Sequence, residues 1–255
     1  MDDSIIKKED YPLLLDNGKI LNSVMQEGMK YASAGMTLIE LDSFIYDNII
    51  KNKARPACLN YKGYGTIPYP FSTCISVNNT VVHGVPYEYS LKDGDILTID
   101  CAIEKGGVYV DKAVAFGIGT LSEEASRINM SVHNALEYAI KQAYIGNRIG
   151  DISSVIDKTI KSFGFKTCHH FMGHGIGYKF HTEPEVPNLG LRGTGPKLIE
   201  GMCIAIEPIA LANYGEKCLA EEADDGWTIY NLCGLASHCE DTIYVSKDGP
   251  VIVTR

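Results

Sequence analysis

The segment Leu91-Lys92-Asp93-Gly94-Asp95-Ile96-Leu97-Thr98-Ile99-Asp100 has a disguised copy later in the chain, Leu198-Ile199-Glu200-Gly201-Met202-Cys203-Ile204-Ala205-Ile206-Glu207. In each, a leucine and an acid precede a glycine, an apolar run follows, and a carboxylate closes the segment. A second match joins Val110-Asp111-Lys112-Ala113-Val114 to Cys239-Glu240-Asp241-Thr242-Ile243, and a third joins Val82-His83-Gly84-Val85 to Gly173-His174-Gly175-Ile176. The matches keep their order, which favours duplication over chance, and a period above 100 residues excludes a solenoid. One domain over 1–255 is therefore expected, built from pseudo-repeats of about 1–117 and 118–255.

Local signals fit that division. Residues 16–33 carry Ile20, Leu21, Val24 and Met25 at helical spacing. Thr37 and Glu40 make a capping box ahead of Leu41, Phe44, Ile45 and Ile49. In the second half Ser122 opens a helix through Ile128, Val132, Leu136 and Ile140. Asp151 opens another through Ile152, Val155, Ile156, Ile160 and Phe163, with Gly164 just past its end. Segments 72–83, 95–103, 108–116, 202–209 and 240–246 have strand composition, and 60–72, 182–198 and 212–234 read as loops.

Composition narrows the function classes. The chain is 45% hydrophobic and 22% charged, ordinary for a globular protein. Its net charge of −9 gives no basic face for nucleic acid. The acidity serves either solubility or the holding of cations. No run approaches the ~20 apolar residues of a membrane span. The start, Met1-Asp2-Asp3-Ser4, is acidic where a signal peptide is basic, so a cytoplasmic protein is expected. Eight cysteines include no CxxC pair and read as reduced, mostly buried thiols.

Asp100 and Asp111 form the most informative pair. If Lys105 and Gly106 are the central residues of the turn between their strands, Asp100 stands directly opposite Asp111. Like charges so placed destabilise a sheet. Either a cation lies between them or this strand face meets solvent. Glu207 and Glu240, at the matching positions of the second half, favour the cation. His174, between two glycines that permit close backbone approach, can add a nitrogen. An oxygen-rich set with one imidazole suits divalent transition ions better than a structural zinc.

Together these landmarks resemble the type I methionine aminopeptidases over nearly the whole chain. The likeness is carried by Cys74-Ile75-Ser76-Val77-Asn78, Val82-His83-Gly84, Lys92-Asp93-Gly94-Asp95-Ile96 and Thr98-Ile99-Asp100. It continues through Gly173-His174-Gly175-Ile176-Gly177, Phe180-His181-x-Glu183-Pro184, Ile206-Glu207-Pro208, Asp225-Gly226-Trp227-Thr228 and Glu240-Asp241-Thr242. The resemblance implies an α+β "pita-bread" fold, two pseudo-symmetric halves with an antiparallel sheet covered by helices. It implies Asp100, Asp111, His174, Glu207 and Glu240 as ligands of two divalent ions (Co, Mn, Fe, Zn or Ni). A metal-activated water is then the nucleophile, Glu207 its proton acceptor, and His83 and His181 the groups that meet the scissile amide. Cys58, Tyr61, Cys74, Phe180 and Trp227 match pocket positions for the methionine side chain, although each alone could be ordinary core. The second pocket tyrosine is Tyr64 or Tyr69.

The implied reaction is removal of an initiator methionine before a small second residue. The implied substrates are N-terminal Met peptides and nascent chains near the ribosome, and the implied state is a monomer without membrane contact. Three departures stand out. Lys62 replaces a common histidine, and Lys112 follows Asp111, where alternation should turn it to the opposite face. Asp241 also stands where the family often has histidine. The alternatives are a proline-specific peptidase of the same fold, or a binding protein of the fold that has lost catalysis.

Overall fold

Pro12 opens the first helix instead of breaking it. A proline in the first turn gives up an N–H that no helical carbonyl would have used, so the helix starts earlier than its apolar periodicity shows. The structure is a computed structural model that describes residues 3–63, 67–213 and 220–255. Among the described residues there are four helices: α1 (Tyr11–Tyr31), α2 (Leu38–Lys51), α3 (Glu123–Ile140) and α4 (Ile149–Ser162). The strands of the first half are β1 (Arg55–Pro56), β2 (Cys74–Val77), β3 (Thr80–Val82), β4 (Ile96–Lys105) and β5 (Val108–Gly117). Those of the second half are β6 (Lys166–Thr167), β7 (Gly173–Gly175), β8 (Thr182–Val186), β9 (Cys203–Ile206), β10 (Ile209–Leu211), β11 (Ala220–Glu222), β12 (Ile229–Asn231), β13 (Ala236–His238), β14 (Glu240–Ser246) and β15 (Gly249–Ile252).

The helix starts follow capping chemistry. Thr37 accepts the Glu40 N–H, and the Glu40 carboxylate accepts that of Thr37 at 2.8 Å. Ser122 caps α3 by accepting the Ala125 N–H. Asp151 does not open α4. The helix begins two residues earlier, and the Asp151 carboxylate accepts the Arg148 N–H from the third helical position. Three expectations about strands and loops also change. Segment 72–83 splits into β2 and β3 at a turn where Asn78 has φ +54°. Segment 202–209 breaks at Glu207-Pro208, and the expected loops 182–198 and 212–234 contain β8, β11 and β12.

The main sheet runs β1-β4-β5-β14-β9-β7-β8, with β2 also on β4 and β15 on β14. Its strand pairs among the described residues are antiparallel. The two halves meet where β5 pairs with β14, at Glu240↔Ala113 and Asp241↔Lys112. Matching places are filled by matching residues: β1 sets Arg55 against Glu104, and β6 sets Lys166 against Leu211. The shift from Glu104 to Leu211 is the one that relates Asp100 to Glu207.

Register corrects the other two sequence matches. Thr98↔Ala115 in the first half corresponds to Ala205↔Thr242 in the second. Likewise Ala102↔Asp111 corresponds to Ile209↔His238. The counterpart of Asp111 is thus His238, and that of Glu240 is Ala113. Sequence matching was two residues out because β5 is continuous while its counterpart breaks at Cys239 between β13 and β14. A two-residue slip keeps the same sheet face. The third match fails as well, since His174 lies within β7, whose place corresponds to that of β2, whereas His83 follows β3.

The β4–β5 turn also differs from expectation. Gly106 and Gly107 are its central residues, with φ +65° and +84°, and Lys105 pairs with Val108. A tight hairpin needs positive φ at both central positions, and Lys105 would have been strained there. Asp100 therefore faces Ala113, and Asp111 faces Ala102. The two acids are diagonal neighbours on one face rather than directly opposed. Buried Asn17 of α1 holds the turn, donating to the carbonyls of Lys105 and Val108 at 2.9 and 3.0 Å.

Alternation puts Ile99, Cys101, Ile103 and Val110 on the other face of β4 and β5. They pack with Leu14, Leu21, Met25, Leu41 and Ile45 of α1 and α2. Ile204, Ile243 and Val245 pack similarly with Ile128, Val132, Ile152 and Ile156 of α3 and α4. Lys112 lies on this helix-covered face, as alternation requires. Its buried Nζ donates to Asp241 Oδ1 at 2.7 Å, and Thr254 and Arg255 also donate to that carboxylate. A buried pair is costly to break from one side, because the remaining charge stays desolvated. Lys112→Met should lower unfolding stability by about 3 kcal/mol, checked by urea titration at fixed metal concentration.

Among the described residues six cysteines are free and buried. Cys233 is disulfide-bonded, which corrects the expectation of thiols throughout. Among the described residues no helix is long and apolar enough to cross a membrane.

Candidate metal centre and active site

The face of the sheet turned away from the helices gathers the charge. β4 contributes Asp100, β5 Asp111, β7 His174 and β14 Glu240, while Glu207 sits at the break after β9. All five line one cavity. Asp111, His174 and Glu240 each offer a ligand atom within 4.8 Å of the other two. His174 Nε2 is 3.9 Å from Asp111 Oδ2.

Such a cluster is unfavourable without a cation. Burial, then the charge of Asp100, pushes the Glu207 carboxyl up to about 8. Burial and Asp100 also push Asp111 well above the usual carboxylate range, and burial and Asp111 do the same to Glu240. Glu240 Oε1 is buried with no hydrogen-bond partner. An orphaned carboxylate oxygen among converging acids and one imidazole fits a hard or borderline divalent cation.

The glycines beside His174 have a steric reason. A Cβ at Gly173 would lie 2.2 Å from the Ala205 carbonyl oxygen, and one at Gly175 would lie 2.2 Å from that of Glu183. Only glycine lets β7 run this close to its neighbours. His174 Nδ1 is 3.0 Å from the Gly175 carbonyl oxygen. A carbonyl can only accept, so Nδ1 carries the proton and Nε2 keeps its lone pair. Burial lowers the ring's pKa to about 4, outweighing the Gly175 bond and the pull of Asp100. A neutral ring with a free Nε2 is the form that binds metal.

An apolar recess adjoins the carboxylates. Cys58, Tyr61, Cys74, Phe180 and Trp227 line it, joined by Tyr69 and Val82. Cys74 is the strand partner of Asp100. The hydroxyl of buried Tyr69 donates toward the Gly84 carbonyl at 2.8 Å, with the Thr73 carbonyl at 3.0 Å. Its ring meets Trp227 edge-on at 5.3 Å. Tyr69 thus occupies the recess, and Tyr64 lies outside the described residues. The Asp225-Gly226-Trp227-Thr228 motif is a turn held by Asp225, whose carboxylate accepts from the N–H groups of Trp227 and Thr228 and from the Thr228 hydroxyl. Thr228 in turn accepts the Val85 N–H, tying the turn to the His83 segment. Lys62 is exposed and borders a neighbouring groove beside Tyr61.

His83 and His181 enter the cavity from opposite segments. His83 has φ +56°, a conformation uncommon outside glycine, and meets Phe171 and Trp227 edge-on. Strained backbone of this kind concentrates at functional sites. The His181 ring lies 4.1 Å from that of His174 and 5.1 Å from that of Tyr61. Although its outer edge meets solvent, desolvation by these rings, then His174 and His83, pushes its pKa well below normal. Burial also lowers that of His83.

The model of metallopeptidase family M24 matches residues 13–247. The chain belongs to that family. This M24 peptidase is 42% identical over 254 residues to a methionine aminopeptidase of Clostridium perfringens, with 98% of each chain covered. It superposes on the crystal structure of methionine aminopeptidase from Rickettsia prowazekii with a TM-score of 0.92 and 30% identity, each chain covered fully. The expected pita-bread fold is therefore the observed one. A prolidase from Pyrococcus horikoshii matches at 19% identity and a TM-score of 0.78, with 64% of that chain covered. That likeness shows a shared fold alone. Membership of M24, a metallopeptidase family, also implies divalent metal ions, and the cluster of Asp111, His174 and Glu240 could hold one.

Apart from Tyr64, outside the described residues, each residue that the sequence named for this metallopeptidase site lines the one cavity. Sequence reasoning missed His238. Its Nε2 lies 3.7 Å from Asp100 Oδ2, on the edge of the carboxylate cluster. The signal available was its place two residues before Glu240, the strand spacing that keeps one face.

Proposed function

We propose that the chain is a methionyl aminopeptidase that removes an N-terminal methionine ahead of a small second residue. The observation that carries this reading is one cavity in which a metal-fitting carboxylate cluster adjoins a recess of thiols and aromatic rings. An unbranched thioether fits such a recess, because sulfur and aromatic edges attract one another.

Asp100, Asp111, His174, Glu207 and Glu240 would hold two divalent ions, with the supply in the cell choosing among Co, Mn, Fe, Zn and Ni. Bound there, such ions lower the pKa of a water and polarise a peptide carbonyl. Glu207, a carboxyl that burial and the charge of Asp100 push up to about 8, accepts the water's proton and passes it on. His181 donates a hydrogen bond to the carbonyl oxygen as charge develops there. His83 meets the scissile amide from the other side. Phe171 and Trp227 flank His83, which favours a small residue after methionine.

Single-domain catalysis over 1–255 by two pseudo-repeats, a monomeric state, a cytoplasmic location and action on nascent chains at the ribosome complete the reading. Metal-reconstituted protein should cleave Met-Ala-Ser faster than X-Pro peptides, with free methionine detected by mass spectrometry. Faster cleavage of X-Pro peptides would replace the reading with the proline-specific alternative, which the relatives over the whole chain do not favour.

A further inference from the structure

His238 is only 1% exposed, and neither ring nitrogen has a hydrogen-bond partner. Burying a polar ring without partners is unfavourable, so a group at this position needs a counterpart. The nearest charged group is Asp100, whose Oδ2 is 3.7 Å from Nε2. That gap is a few tenths of an ångström beyond hydrogen-bond range. His238 also occupies, by sheet register, the second-half place of Asp111. It sits at the end of β13, two residues before Glu240, which begins β14 after the break at Cys239. Its influence reaches His83, which feels both Asp100 and His238.

We propose that His238 is a positioning residue of the metal centre, donating an imidazole N–H to the Asp100 carboxylate. The proposal rests on the ligand set assigned above. Carboxylates that bind metals are themselves held by hydrogen bonds, and loss of such a partner weakens metal affinity by about 10–100-fold. Asp100 has neighbours on one strand side in Cys74 and on the other in Ala113, and neither side chain can hold a carboxylate strongly. The imidazole fills that role. With one oxygen held by His238, the other is turned to the cation, and the diagonal repulsion between Asp100 and Asp111 is eased.

The test measures Mn2+ affinity by calorimetry on the full-length protein and three variants, with folding followed by circular dichroism. His238→Phe keeps the ring's size and removes the donor, and its affinity should fall about tenfold or more. His238→Gln returns a donor of similar reach, and should recover most of the loss. His238→Leu serves the same comparison if the phenylalanine variant does not fold. Asp100→Asn reports the ligand set itself. If Asp100→Asn binds Mn2+ like the parent, the ligand set falls and this proposal with it. If Asp100→Asn is weakened while His238→Phe and His238→Leu bind normally, only the role of His238 is overturned. If His238→Gln is as weak as His238→Phe, the ring acts by something other than donating, and the proposal is likewise overturned.

Discussion

His181→Ala should cost about 10²–10³-fold in turnover while leaving metal content and fold nearly unchanged. The ring lies 4.1 Å from that of His174 but does not belong to the tight cluster that His174 forms with Asp111 and Glu240. His181 therefore contributes to charge that develops during reaction rather than to holding the cation. His174→Ala should do the reverse. It removes the neutral nitrogen from a set whose remaining members repel one another, and metal affinity should drop first. Turnover at saturating Mn2+ and metal content by calorimetry separate the two. Full rescue of His181→Ala by excess metal would contradict the assigned role and make His181 part of the metal support.

Removal of metal should abolish turnover and also make stability fall as pH rises. In the metal-free protein Glu207 titrates near 8 instead of its ordinary 4.5, chiefly from burial and then from Asp100. A carboxyl with a raised folded-state pKa ionises first in the unfolded chain. Below 4.5 the group is protonated in both states and makes no difference. From 4.5 up to about 8 the unfolded chain holds fewer protons, so the folded state loses stability as pH rises. Asp111 and Glu240 shift in the same direction and add to the trend. Chelated protein should thus melt at a lower temperature at pH 8 than at pH 6. Added Mn2+ should raise the melting temperature and flatten that slope, since a ligand of the folded state stabilises it. Undiminished activity in protein shown metal-free by elemental analysis would end the metal-dependent reading.

Much of the site was legible from sequence because its parts are local. Metal ligands must sit at strand positions facing one way, and a period of two makes that visible in Asp100, Asp111 and Glu240. The capping box at Thr37 and the glycines around His174 are similarly local signs. The pocket was legible only through ordered resemblance, since Cys58, Cys74 and Phe180 have nothing in themselves that separates a recess from core.

The errors share one cause. The turn at Gly106-Gly107 moved the register by two residues, the break at Cys239 moved the second-half match by two residues, and Asp151 proved to be third in its helix. Each involves a choice among local alternatives that the chain's own pattern leaves nearly equal. Packing decides among them, as when Asn17 of α1 holds both ends of the hairpin turn.

The sequence by itself determined the duplication, the helix faces, the five candidate ligands and the family, because these depend on residue type and spacing along the chain. Only the tertiary structure decided that Asp100 and Asp111 are diagonal, that Tyr69 enters the recess, that Lys112 is neutralised by Asp241 across the join of the halves, and that His238 reaches Asp100. Those facts depend on which strand lies beside which and in what register. For Lys112 with Asp241 and for His238 with Asp100 the partners are more than 100 positions apart, where sequence spacing carries no information about distance.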